Sequence, residues 1–577
     1  MRTLRGPLLA AAALALLPGA VDAQHGYHCS TPPPLTAPVV PLWNGIAGKV
    51  DFPISPRNDS TRAYFNQGVA LIYGFNHGES VLSFRKAAKF TPCAVCYWGI
   101  ATALGPNINE QINQQRWQMA AAAVDSARML MATASPVERS LIDAARRRYF
   151  NPDGTLPRFP LSPAEFKRVR GEMDRRYSDA MADIWRSAGG KDPHLGALYV
   201  ESLLDLHPWD LWLNNGDPKW PETMRSLLVS DSILQRYPDH VGAAHLKIHI
   251  LEGSTRPDLA TREADILERL MPGNGHITHM PSHIDHRTGR YAEGVGHNVR
   301  ATALDSAYLA FRGWLWRYPM YYAHDNDFLW VSATFAGLRA DAVRSADALN
   351  GIVGDSLIAC YRSAQHFLTA PVLVRARFGA WADALRQPQP AEQYPYAVGM
   401  WYTGRGWAQL RQGQVQEALA SYQAAMNYSR RLRDSTISNN PADTLVMIAA
   451  TTLMGEILAA QGRHDEAIRL LDEAAKAQDR LRYDEPPPFF YPTRHSLGAV
   501  LIEKGDRASA DSAVRVYRTD LGPPGQPFGV RSNPNNAWAY VGMAKAVEKL
   551  GGDPKVWYDR ARAAWPQGQP LPPSSRY

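Results

Sequence analysis

GAAHLKIHILEGS (residues 242–254) and GHITHMPSHIDHRTGRY (residues 275–291) are the two stretches from which the architecture of this chain can be read. His245, His249 and Glu252 of the first reappear, displaced by 34 residues, as His279, His283 and His286 of the second. A spacing of i, i+4, i+7 puts each set on one face of an α-helix. A displacement of 34 is the period of a helix–turn–helix repeat unit. Nine of the 17 histidines lie between His240 and His324, so neighbouring repeats concentrate the metal-capable side chains.

Outward from these stretches, the same period continues. The tetratricopeptide pattern wants small residues near positions 8, 20 and 27, and often Pro at 32, because two helices approach closely only where side chains are small. Tyr64, Gly68, Ser80, Phe84, Ala87 and Pro92 fill positions 4, 8, 20, 24, 27 and 32 of a first unit. Tyr402, Gly406, Gly413, Ala418, Tyr422 and Ala425 mark a later one, and Gly455, Gly462, Ala467, Leu471 and Ala474 the next. Gly498 with Gly505, and Trp538 with Gly542, mark two more. In the middle, Ala260 and Pro272, then Gly289 and Ala301, then Gly337 and Ala342 keep phase. Alternating β-branched runs are nearly absent. The expected fold is all-α, a tetratricopeptide-like α-solenoid of stacked helical hairpins whose first helices line a concave surface.

Breaks fall at 151–163, 387–395, 485–492 and 521–534. They divide the chain into a leader (1–23), a Pro-rich segment (24–56), an irregular helical part with the histidines (57–390) and a more regular array (391–577). In the leader, Arg2 and Arg5 precede the apolar run Leu8–Leu17, and Val21-Asp22-Ala23 fits a small-x-small cleavage site. The mature chain is expected to begin at Gln24. Cys29 follows Gly26-Tyr27-His28 rather than a lipobox, and no later run of about 20 apolar residues is evident. A periplasmic or secreted protein is expected.

The 62 basic and 55 acidic residues give a net charge of +7, without a long run of one sign, and mean hydropathy is −0.32. No basic stripe with interleaved aromatics occurs, so nucleic acid is not an expected partner despite a pI near 9.1. Cys93 and Cys96 form a CxxC with no answering CxxC and no thioredoxin-like surroundings. A structural disulfide or two buried thiols is expected there, over a redox pair or half of a metal site.

In a tetratricopeptide unit, positions 2, 5, 9 and 12 of the first helix face the groove. His276, His279, His283 and His286 occupy all four, and His245, His249 and Glu252 take 5, 9 and 12 of the preceding unit. His324 and Asp327 fall at 2 and 5 of the following one. Imidazole and carboxylate suit Zn, Fe, Cu, Ni or Mn. A His pair at i, i+4 can hold an ion that a second helix completes. The bland alternative is that groove histidines hydrogen-bond a peptide or stack on aromatics. Pro281 removes a backbone donor and is expected to kink its helix, either disturbing the pair or splaying His279 and His283 toward an ion.

Weaker candidates surround these. Glu201, in LYVESLLDLHPWDLW, is a carboxylate in an otherwise apolar helix, facing the groove or buried and hydrogen-bonded. His77 falls in Asn-His-Gly, ordinary turn chemistry. Trp209, Trp212, Trp314, Trp316 and Trp330 are expected mostly as packing between hairpins. GxSxG, HExxH and phosphate-binding Gly-rich loops do not occur.

Residues 75–109, with LYVESLLDLHPWDLW, AAHLKIHILEGS, GHITHMPSHIDHRTGRY and YPMYYAHDNDFL, resemble a family of exported bacterial tetratricopeptide-like proteins. The resemblance spans about 60–545, and its most distinctive piece is His279-Met280-Pro281-Ser282-His283. It implies the solenoid fold rather than a particular chemistry. The family pattern often reads His-Asn-x-His-Phe where this chain has His324-Asp325-Asn326-Asp327-Phe328, a change of ligand type at Asp327.

Together these readings lead to an exported solenoid that binds a protein, peptide or small-molecule ligand in a groove carrying a His-rich divalent metal site (Zn, Cu or Fe). His245, His249, His279 and His283 are the expected primary ligands, with His276, His286, His324, Asp327 and Glu252 in reserve. Two alternatives stay open: a metal-dependent oxidoreductase or hydrolase with Glu252 or Glu201 as base, and an interaction scaffold without metal.

Overall fold

The structure, a computed structural model, describes residues 39–313, 317–522, 529 and 532–577. The expected leader, Cys29, the start of the Pro-rich segment, Trp314 and Trp316 lie outside these residues. From Asp59 to Ala563 helix follows helix; the sole strand pairing among the described residues, Thr436–Ile437 with Asn440–Pro441, is a two-residue ladder. The protein is an all-α, tetratricopeptide-like solenoid.

Its hairpins form where the pattern places small residues. Asn58 caps Asp59–Tyr73 by accepting from the Thr61 amide, and Asn76 caps the partner helix His77–Phe90 through the Glu79 amide. Between these helices, a Cβ on Gly68 would lie 2.6 Å from the Phe84 ring, so only glycine permits this approach. Gly455 repeats the arrangement, with a Cβ meeting Leu471 at 2.5 Å. Ala442–Ala460 packs on His464–Asp479, and Thr493–Lys504 on Arg507–Leu521, in the same manner.

Four apolar clusters run along the stack. The first spans Ile46 to Tyr321, the second Tyr291 to Tyr491, and two smaller ones the last hairpins. The second cluster crosses residue 390, where the Gln387–Pro395 break falls. Among the described residues one helix, Ala442–Ala460, is by length and composition apolar enough to cross a bilayer. Leu445, Ile448, Ala449 and Leu453 are nonetheless fully buried against neighbouring hairpins, as in the core helix of a folded domain. Cys93 and Cys96 are joined as a buried disulfide.

The stack also folds back on itself. The segment after His464–Asp479 returns to the N-terminal half, where Arg482 pairs with Asp210 at 3.0 Å. There Tyr483 lies near-parallel to Trp209 (6.5 Å between centroids) and under the Arg287 guanidinium (5.4 Å). Farther along, Asn535 donates to the Gly289 carbonyl and the Trp538 indole to the Thr334 carbonyl. The concave face is therefore roofed in its central part.

Candidate metal centre

Four short helical segments deliver the histidines: Val241–Leu251, Gly275–His279, Pro281–Thr288 and Tyr318–Phe335. Pro281 does interrupt its helix, but Met280 keeps right-handed helical angles, so the face carries on across the break. His279 and His283, on either side of it, meet with their Nε2 atoms 2.8 Å apart.

Three sets of potential ligand atoms each lie within 4.8 Å of one another: His245, His249 and His276; His279, His283 and His324; and Glu252, His283 and Glu485. His245 and His279 are 0% exposed, His249, His276 and His283 are nearly so, and His324 is half-buried. These are not groove-surface residues.

The hydrogen bonds select the tautomers. His245 Nδ1 donates to the Tyr73 carbonyl at 2.6 Å, and His249 Nδ1 to Glu252 Oε1 at 2.9 Å. Each ring is thereby held from behind with its Nε2 lone pair directed inward. Neither Nε2, and neither nitrogen of His276, finds a hydrogen-bond partner among the described residues. A buried polar atom left unpaired costs about 1–3 kcal/mol. Several such atoms converging on one point make a cation the natural partner. His279 Nδ1 is 2.6 Å from Asn298 Oδ1 and 3.3 Å from Asp325, which leaves its Nε2 turned to His283 Nε2. Carboxylates and carbonyls behind metal-binding histidines act in this way.

Protonation follows burial and charge. Burial first, and neighbouring imidazoles second, hold His245, His276, His279 and His324 far below the ordinary histidine range. They are neutral, the ligating form. His283 goes the other way: burial pulls it down, but Glu252 and Glu485 outweigh burial and lift it to about 9. Glu252 is the counterpart, pushed up by burial yet brought to about 2 by His283 and His249. The pair approaches to 2.6 Å between His283 Nδ1 and Glu252 Oε2, although the ring N–H does not aim along the oxygen lone pair. Burial raises Glu485 to about 7.

The remaining candidates lie elsewhere. His286 sits among Tyr291, Phe328 and Phe335, outside the three sets, and burial lowers it to about 3. Asp327 accepts from the Trp330 indole at 2.7 Å and faces His366 at 3.4 Å. Its neighbour Asp325 is the carboxylate turned to His279. Glu201 belongs to another buried network, with Asp205 and Arg148; burial first, then Asp205, raises it to about 8. His77 opens the helix His77–Phe90 and is buried rather than exposed in a turn. Trp209 sets its edge against His249, and Trp212 donates to the Ile250 carbonyl.

Sequence reasoning missed Glu485, Asn298 and Asp325. Glu485 opens one of the recognised breaks, and Asp325 adjoins His324; these were the available signals. Two cavities reach the cluster. One of about 140 Å³ is lined by His276, His283, His324, Asp327 and Glu485, and the other, of about 300 Å³, by Trp209, His249, Glu252 and Tyr483.

No protein-family model matches the chain, and no curated protein matches it. Among solved structures it is similar to the human IFIT1 dimer with PPP-AAAA, at 12% identity and a TM-score of 0.32, covering 88% of this chain and 91% of that one. It is also similar to yeast Tom70, at 12% identity and 0.32, covering 87% and 95%. A third is Cut9–Hcn1 of the APC/C, at 11% and 0.26, covering 88% and 94%.

Proposed function

We propose that this protein is an exported helical-repeat protein whose buried histidine cluster holds a divalent transition metal, Zn, Cu or Fe, and offers it to a small ligand. The observation that carries the reading is the convergence of unpartnered Nε2 atoms on His245 and His249 with His276, each of the first two rings fixed from behind. The roof formed by Tyr483 and its neighbours favours a small molecule over a peptide as the ligand. Replacing His249 and His283 by Ala tests it: bound metal is lost while helicity by circular dichroism is kept. Retention of metal by that variant contradicts the reading. N-terminal sequencing of the protein recovered from a periplasmic fraction tests export, with Gln24 as the expected first residue.

A second reading, a metal-dependent oxidoreductase or hydrolase, is favoured by one observation. The cavity beside His276, His283 and His324 also presents Glu485, a carboxyl held near 7 and so able to take or give a proton near neutrality. Here a bound ion would supply Lewis acidity or an activated water. His279, His283 and His324 would hold it beside the cavity.

A further inference from the structure

We propose that the six histidines form two adjoining three-imidazole sites, each taking one divalent cation, with Glu252 as the carboxylate that positions a histidine of both. The proposal rests on the metal-binding reading above and goes beyond it in number and arrangement.

The first site is His245, His249 and His276; the second is His279, His283 and His324. The two sets have no residue in common. Among the described residues, no fourth His, Cys, Asp or Glu atom joins either set within the same 4.8 Å. A neutral imidazole has a single lone pair. With every ring deprotonated, the six rings supply six lone pairs, three in each set. Three protein ligands with one position left open is the arrangement of an ion that can still accept an outside ligand. No group of ligand atoms within 4.8 Å of one another holds all six rings; across the two sets His276 lies 6.0 Å from His279, and His249 6.1 Å from His283, between ring centroids. Those distances also make the sites neighbours rather than strangers.

Glu252 ties the two. Its Oε1 accepts from His249 Nδ1 at 2.9 Å, and its Oε2 lies 2.6 Å from His283 Nδ1. One carboxylate thus stands behind one ring of each set, hydrogen-bonded to His249 and close against His283. Its negative charge, with Glu485 beside it, also offsets the repulsion of two cations at close range. The competing arrangement places an ion on Glu252, His283 and Glu485 through His283 Nδ1. It would use the only lone pair of His283 and leave His279 and His324 without a third partner.

The test uses full-length, untagged protein stripped with chelator, titrated with Co(II) or Cu(II) and desalted, with bound metal counted per chain. Two ions per chain are expected. One ion overturns the paired arrangement and leaves the metal-binding reading standing; none overturns both. In variants, His245→Ala and His324→Ala should each drop the count from two to one. His324 is half-buried and its loss should disturb folding least. Two ions retained by His324→Ala, or one lost by Glu485→Gln, would assign the second ion to the carboxylate set and overturn the proposal. For Cu(II), dipolar coupling between two neighbouring ions should broaden the resonance of the wild type, whereas each single-site variant should show the spectrum of an isolated ion. An isolated-ion spectrum in a wild type holding two coppers contradicts adjoining sites.

Discussion

His249 and His283, 34 residues apart and on successive repeats, share one carboxylate: Glu252 reaches the Nδ1 atom of each, at 2.9 and 2.6 Å. A repeat that places the same residue type at the same position on neighbouring units sets both rings in register, and a single intervening side chain can then orient them. This geometry suits Glu252 to a positioning role.

Glu252→Gln should accordingly weaken metal binding without unfolding the chain. Loss of a carboxylate behind a ligating histidine lowers affinity by about 10–100-fold. Competition with a chromophoric chelator measures it. Unchanged affinity would show that the two rings do not depend on Glu252.

The same pair predicts a pH signature in metal-free protein. His283 rises from its ordinary 6.5 to about 9, so its stabilising share is complete below 6.5 and lost as pH climbs through 9. Glu252 falls from 4.5 to about 2, so its share is complete above 4.5 and lost as pH drops through 2. The difference in thermal midpoint between wild type and Glu252→Gln should be largest between pH 4.5 and 6.5 and shrink toward pH 9. Because a metal must displace the His283 proton, affinity should rise over the span from 6.5 to 9. A flat profile on both counts contradicts the ion pair.

Glu201 carries the opposite sign. Burial raises its carboxyl from 4.5 to about 8, so the folded state keeps a proton that the unfolded chain has released. Stability from this group is full below 4.5 and declines as pH rises to 8. Glu201→Gln should match wild type at pH 4 and melt higher at pH 8, with metal content unchanged. Loss of metal in that variant would return Glu201 to the site.

The hairpin packing is testable at Gly68 and Gly455. A methyl group at either position meets Phe84 or Leu471 at 2.5–2.6 Å. Overpacking of this kind costs about 1–3 kcal/mol. Gly68→Ala and Gly455→Ala should lower the thermal midpoint, and an unchanged midpoint in both would contradict the tight approach.

Tyr483 closes the roof through Trp209 and Arg287. Tyr483→Ala should leave the number of bound ions unchanged and speed their removal by chelator. An unaltered removal rate would mean that metal leaves by another route.

Local rules reached far along this chain. The 34-residue period, the small residues at positions 8 and 20, and the phase of His245, His249, His279 and His283 were all legible because each depends on neighbours within one or two repeats. His324 was legible by extending that phase to a third unit. Glu485 was not, since it arrives from a loop more than 200 residues away when the stack curls back, and no periodicity encodes that closure. Asp327 was assigned by groove position, and Asp325 was not a candidate; that Asp325 turns toward His279 while Asp327 faces Trp330 and His366 is not revealed by register. The backbone carbonyl of Tyr73 leaves no trace in the residue pattern. The burial of the imidazoles, where groove-facing positions were expected, has the same origin as Glu485: long-range closure.

Elemental analysis of untagged protein, purified without added metal and passed through gel filtration, bears most directly on the central claim. A divalent transition ion, Zn, Cu or Fe, should travel with the protein peak, vanish on chelation and return on re-addition. A well-folded chain that emerges empty, and takes up none of the three when they are offered, would contradict it.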